Sequence, residues 1–114
     1  MTESLLDLTD QEIISVSRLF GLLGDPTRVR ILLLLCKGEL NVTRLCATLG
    51  LPQPTVSHHL GLLRMNNLIG NRRDGKQVYY GINGRFQTPG DNALHFAVEN
   101  YTIQIGNRAA EATA

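Results

Sequence analysis

The sequence predicts a mainly α-helical fold with one β-hairpin, in the order α-α-α-α-β-β-α, on three observations. Apolar residues recur at helical spacing in five separate segments. Between the fourth and fifth segments the pattern changes to that of strands flanking Asp74-Gly75, a strong short-range hairpin signal. The third and fourth segments are parted by only a few residues, Gly50-Leu51-Pro52-Gln53, which suits a tight turn between two packed helices.

Each element carries its own signals. Thr9 and Glu12 form a capping box at the start of the first helix, with Leu8 and Ile13 placed as a hydrophobic staple. Ile13, Val16, Phe20 and Leu23 then recur on one stripe, and Gly24 suits a left-handed stop. Asp25-Pro26 reads as the N-cap and first position of a second helix. Its segment Ile31 to Leu35 is apolar all round, which predicts burial on several sides, and Gly38 ends it. Asn41 caps a short third helix with Val42, Leu45 and Leu49 inward, closed by Gly50. Pro54 opens the fourth, where Val56, Leu60 and Leu63 share a stripe opposite Ser57, His58 and Gly61, and Asn67 stops it. Leu68 to Arg73 and Lys76 to Ile82 flank Asp74-Gly75, read as a type I′ turn. Beyond the Gly- and Pro-containing stretch 83–90, Asp91 caps an expected last helix with Leu94, Val98, Tyr101 and Ile105 at i, i+4, i+7 and i+11. The expected organisation is an arm over 1–8, one domain over 9–106 and a tail over 107–114.

Composition bounds the function. At 114 residues, 43% hydrophobic and 18% charged, the chain suits one globular domain. The longest apolar run, Ile31 to Cys36, is too short to span a bilayer, and a cytoplasmic protein without membrane contact is expected. Cys36 and Cys46 are not in a Cys-x-x-Cys pair and make no disulfide framework. No nucleophile–base pair, phosphate loop or carboxylate dyad stands at useful spacing, so an enzyme is not expected.

The net charge of +1 hides an asymmetry. Residues 41–88 hold six bases against Asp74 alone, whereas 1–40 hold four bases and six acids, and 89–114 one base and three acids. A basic middle between acidic ends favours a polyanionic partner. Two helices joined by a short turn, followed by a hairpin, form a winged helix-turn-helix, whose second helix enters the major groove of duplex DNA. Gln53, Thr55, Ser57, His58 and His59 supply short or planar hydrogen-bonding groups near the start of that helix, suited to base edges and phosphates. His59 lies nearer the apolar stripe than His58. Arg72, Arg73, Lys76 and Gln77 surround the hairpin turn, where cations suit phosphates or a narrow minor groove. The plainer readings are a solvated helix face and hairpin charges that only discourage edge pairing. Tyr79 and Tyr80 read as strand packing.

The sequence also resembles the arsenic-repressor-like (ArsR/SmtB) winged-helix regulators over roughly residues 10 to 105. The resemblance rests on Leu22-Leu23-Gly24-Asp25-Pro26-Thr27-Arg28, Gly38-Glu39-Leu40, Leu51 through Leu60, and Arg72 through Tyr80. It implies a homodimer paired through the first and last helices, binding an inverted-repeat operator as a repressor that an effector releases. A winged helix that serves only protein–protein assembly is the rival reading, and steep salt dependence of duplex binding separates the two.

The family's metal sensors carry Cys-Val-Cys after Glu-Leu, where this chain has Asn41-Val42-Thr43. Soft-metal or arsenite sensing there is not expected. Others bind zinc on the last helix through Asp-x-His and a later His or Glu. Here Asp91, His95 and Glu99 stand at i, i+4 and i+8 and are the candidate ligands, but that spacing and the second histidine are missing. Cys36 and Cys46 are the candidates for a thiol switch, although structural thiols are the plainer reading. No cofactor, metal or redox site is therefore expected.

Overall fold

A computed structural model describes residues 7–83, 86–87, 93–98 and 100–106. The helices are α1 (Asp10–Leu23), α2 (Pro26–Cys36), α3 (Val42–Leu49) and α4 (Gln53–Met65). The strands are β1 (Leu40–Asn41), β2 (Ile69–Asp74), β3 (Gln77–Ile82), β4 (Phe86–Gln87), β5 (Ala93–Val98) and β6 (Tyr101–Gly106). They form two antiparallel sheets, ordered β1-β3-β2 and β4-β5-β6.

The capping box is formed: Thr9 Oγ1 accepts from the Glu12 amide at 3.2 Å, and Glu12 Oε1 accepts from the Thr9 amide at 2.9 Å. Asn41 Oδ1 accepts from the Arg44 amide at 2.8 Å and caps α3, which Gly50 closes at φ 67°. Asn67, at φ 62°, ends α4 as expected. Its amide bonds to the Arg64 carbonyl and that of Leu68 to the Leu63 carbonyl, a Schellman closure.

Ile31, Leu32 and Leu35 of α2, Leu45 of α3, and Val56, Leu60 and Leu63 of α4 form one buried cluster. Leu19 of α1, Leu68 and Ile69 join it, and Leu94, Phe96 and Val98 extend it into β5. Two of the expected apolar faces are only partly covered, although Val16 and Leu23 of α1 pack against the core. On α1 the core takes Leu19, with Ile13 and Phe20 left 47% and 56% exposed. On α2 Leu33 is exposed, so that helix is not enclosed on every side.

Several expectations are corrected. Gly24 has φ −78°, so α1 does not end in a left-handed residue. Asp25 occupies the N-cap position of α2, but its side chain makes no capping bond. The hairpin pairs Asp74 with Gln77, leaving Gly75-Lys76 as the loop, one residue later than Asp74-Gly75. Gly75 has φ 65° and Lys76 is not positive, the pattern of a type II′ turn rather than I′. The short strand β1 escaped the sequence reading because two residues carry no period.

The largest correction concerns the last element, which is the hairpin β5–β6 and not a helix. Leu94, Phe96 and Val98 alternate and are all buried, while Ala97 between the last two is exposed. A helix presenting Leu94, Val98, Tyr101 and Ile105 would turn Phe96 about 200° away from that stripe; as a strand, all three apolar side chains face one way. The β-branched Thr102, Ile103 and Ile105 reinforce the strand. Val98 pairs with Tyr101, and the tip rests on α1: Asn100 Nδ2 donates to Glu12 Oε2 at 3.4 Å, and the Tyr101 hydroxyl to the Asp7 carbonyl at 3.0 Å. The expected dimer pairing through the first and last helices therefore lacks its last helix, since 93–98 and 101–106 are strands. The tail 107–114 and most of the arm 1–8 lie outside the described residues.

Candidate nucleic-acid interface

Two helices and a hairpin assemble the candidate interface. Val56, Leu60 and Leu63 are essentially inaccessible, and this anchors one side of α4 in the core. Ser57 and His58 face away from that side, and Gln53 and Thr55 stand at the helix start; all four are exposed. No side chain caps the start of α4, because Pro52 holds the N-cap position. The first amides of the helix are therefore left to an external acceptor.

His59 departs from the group. It is 15% exposed and leans toward α2, with Nδ1 3.6 Å from Asp25 Oδ2. That is beyond hydrogen-bond length, and Nδ1 has no bonded partner. Asp25, which makes no capping bond to α2, is the carboxylate that faces His59.

The wing is braced against the helix-turn-helix. Strand β1 adds to β3 through Leu40↔Tyr80 and Asn41↔Tyr79. Asn41, besides capping α3, donates through Nδ2 to Gln77 Oε1 at 3.2 Å. Arg72 is held more firmly. Its Nε and one terminal nitrogen both lie 2.8 Å from Glu39 Oε1, its other terminal nitrogen is 3.9 Å from Asp74, and its guanidinium sits 5.1 Å from the Tyr79 ring centre. Both Arg72 and Glu39 are about half exposed, so this pair contributes little to stability, on the order of 0.2–1 kcal/mol. Its effect on function is larger, because a guanidinium already facing a carboxylate is a poorer phosphate ligand. Arg73 and Lys76 are exposed and have no ion-pair partner among the described residues.

Sequence reasoning missed Glu39, which neutralises a wing cation, and the exposed Arg44 on α3. A scan of charges within the helix-turn-helix finds Arg44. Nothing local marks Glu39, since its partner is 33 residues away.

The profile described as "Bacterial regulatory protein, arsR family" matches residues 25–70. Among curated relatives, the HTH-type transcriptional regulator KmtR of Mycobacterium tuberculosis is 41% identical over 75 residues, which are 66% of this chain and 58% of that one. The arsenical resistance operon repressor of Escherichia coli is 47% identical over 66 residues, 57% and 56% of the two chains. This chain thus spans a little over half the length of both. Among solved structures, the homodimeric winged helix-turn-helix DNA-binding domain of a possible ArsR-family transcriptional regulator from Mycobacterium bovis is 30% identical, with a TM-score of 0.62. That likeness covers 73% of this chain and 77% of the other. The chain belongs to the ArsR family.

Within this ArsR-family chain the profile match runs from the start of α2 to the second residue of β2. The hairpin β5–β6 lies outside it. So does the metal candidate His95, which pairs with Gln104 in β5–β6, while Asp91 and Glu99 lie outside the described residues. His95 stands in strand β5 and not on the helix expected to carry it. Among the described residues no three His, Cys, Asp or Glu side chains cluster as metal ligands. Cys36 and Cys46 are free and half-buried. Burial pushes the Cys36 thiol pKa up, which lowers its thiolate fraction and its reactivity. No helix among the described residues is long and apolar enough to cross a membrane.

Proposed function

We propose that the chain is a sequence-specific DNA-binding transcriptional repressor that acts as a homodimer on an inverted-repeat operator. The observation that carries this reading is the division of α4: one side is locked in the core by Val56, Leu60 and Leu63, Ser57 and His58 face away from it, and Gln53 and Thr55 are exposed at an uncapped helix start. In a major groove Gln53 and the hydroxyls of Thr55 and Ser57 reach base edges, and the free amides meet a phosphate. Arg73 and Lys76 on the wing and Arg44 on α3 hold the backbone on either side. His59 positions α4 against α2 and does not read bases. Arg72 stiffens the wing through Glu39 and Tyr79.

The dimer face is the exposed stripe Ile13 and Phe20 on α1. Exposed large apolar side chains grouped on one element mark an interaction surface. An effector that favours one of two dimer geometries would release the operator. With Asn41 and Thr43 where thiolates would be needed, that effector is not arsenite or a soft metal bound at α3. Calorimetric titration of the reduced protein with zinc, cadmium and arsenite should give no sub-micromolar site.

Selection of bound sequences from random duplex DNA tests the reading. The expected result is enrichment of an inverted repeat whose binding weakens steeply with salt. Recovery of no preferred sequence and a flat salt dependence would leave only a protein-binding winged helix.

A further inference from the structure

A cavity of about 330 Å³ opens between α1, the end of α4 and β5. Its floor is apolar, made by Leu19 and Leu22 of α1, Leu68, and Phe96 and Val98 of β5. Its rim is polar: Ser15, Arg18, Asn66 and Asn67. None of its described lining residues is acidic, and Arg18 has no carboxylate partner among the described residues. Met65, 80% exposed, stands at the mouth as a flexible apolar flap. A hollow with an apolar floor, a mainly polar lining and one unmatched cation has the make-up of a site for a small charged ligand.

We propose that this cavity binds a small organic acid, with one carboxylate on Arg18 and a short aliphatic or aromatic body on the floor. A guanidinium offers paired N–H donors that match a carboxylate, and the neighbouring Asn67 side-chain amide can complete the set, while Asn66 Nδ2 already donates to the Leu62 carbonyl at 2.8 Å.

The position gives the ligand leverage. The wall at 66–68 is the Schellman closure of α4, and the same residues anchor the wing: Asn83 donates from Nδ2 to the Asn67 carbonyl at 3.0 Å and from its amide to the Leu68 carbonyl at 3.1 Å. A ligand seated there touches the joint between α4, β2 and the end of β3. It also leaves the proposed dimer face free. Ser15, Arg18 and Leu22 lie at i, i+3 and i+7, and on a helical wheel this stripe is about 180° from Ile13 and Phe20. Only the word effector rests on the DNA-binding reading; the site itself does not.

The test is therefore run first without DNA. The full chain is titrated calorimetrically with benzoate, phenylacetate and isovalerate, and with neutral benzamide, while amide NMR shifts are followed. At least one acid should bind saturably, about tenfold or more tighter than benzamide, and shift the amides of Asn66, Asn67 and Leu68. Arg18→Gln, at an exposed position, should weaken that acid about tenfold, and Ser15→Phe should fill the mouth and abolish binding. Duplex affinity measured with the saturating acid should change several-fold. No saturation by any acid below about 10 mM, equal binding of acid and amide, or unchanged binding in Arg18→Gln would overturn the site. Binding that leaves duplex affinity unaltered would overturn its role as an effector site, whereas a protein that binds no duplex with or without the acid would count against the DNA-binding reading alone.

Discussion

The helix-turn-helix with its wing, residues 40–82, and the C-terminal hairpin, residues 93–106, differ in how their sequences encode structure. In the first region the main signals agree, although the wing turn falls one residue later than expected and β1 carries no signal. Caps at Asn41 and Asn67, the stripe Val56, Leu60 and Leu63, and Gly75 between two strand-like runs all point to the observed elements. In the second region two periods compete. Leu94, Val98, Tyr101 and Ile105 satisfy a helix, while Leu94, Phe96 and Val98 satisfy a strand, and both sets share their first member. Local pattern cannot choose between them; Phe96 can, because its large ring must be buried against the rest of the molecule.

The sharpest way to break this comparison is Phe96→Ala. Phe96 is 1% exposed and shares the core cluster, so truncation should cost about 3–5 kcal/mol in equilibrium urea unfolding. A loss below about 1 kcal/mol would mean that the hairpin is not part of the folded core and that the two regions are independent.

A second test acts on the first region. Ser57→Ala combined with His58→Ala removes exposed groups from α4, so stability should stay within about 0.5 kcal/mol. Sequence preference should nevertheless fall, by about 1–3 kcal/mol of discrimination for each base edge that is no longer read. A double variant that selects the same operator would take α4 out of the recognition role.

The wing supplies a finer contrast among three neighbouring cations. Arg73→Ala and Lys76→Ala should each flatten the salt dependence of duplex binding by about one unit of slope. Arg72→Ala should change that slope less, because Glu39 already faces its guanidinium at 2.8 Å. Equal slopes for all three would show that the Arg72–Glu39 pair opens on DNA.

The smallest effect separates the two periods directly. Thr102 is exposed in β6, and Thr102→Ala should lower stability by up to about 1 kcal/mol, since alanine suits a strand less well than threonine. In a helix the same change would raise stability. Thermal denaturation of the two proteins side by side reads the sign.

The four helices, the wing hairpin and the outward side of α4 were legible in the sequence because each rests on residues within one or two turns of each other. A capping box, a Pro at a helix start and a left-handed Asn are local devices, and their physics needs no partner from elsewhere. Tertiary contacts decided the rest. Glu39 pairs with Arg72 and Asp25 lies 3.6 Å from the partly buried His59, across 33 and 34 positions of chain, neighbours that no local spacing reveals. The outward turn of Ile13 and Phe20 follows from which side of α1 the core could accept. The last hairpin is the clearest case. Its helical and strand periods were both present in the sequence, and burial of Phe96 beneath α1, with the tip bonded to Glu12 and Asp7, favours the strand, because only that conformation puts three apolar side chains on the face that meets the core.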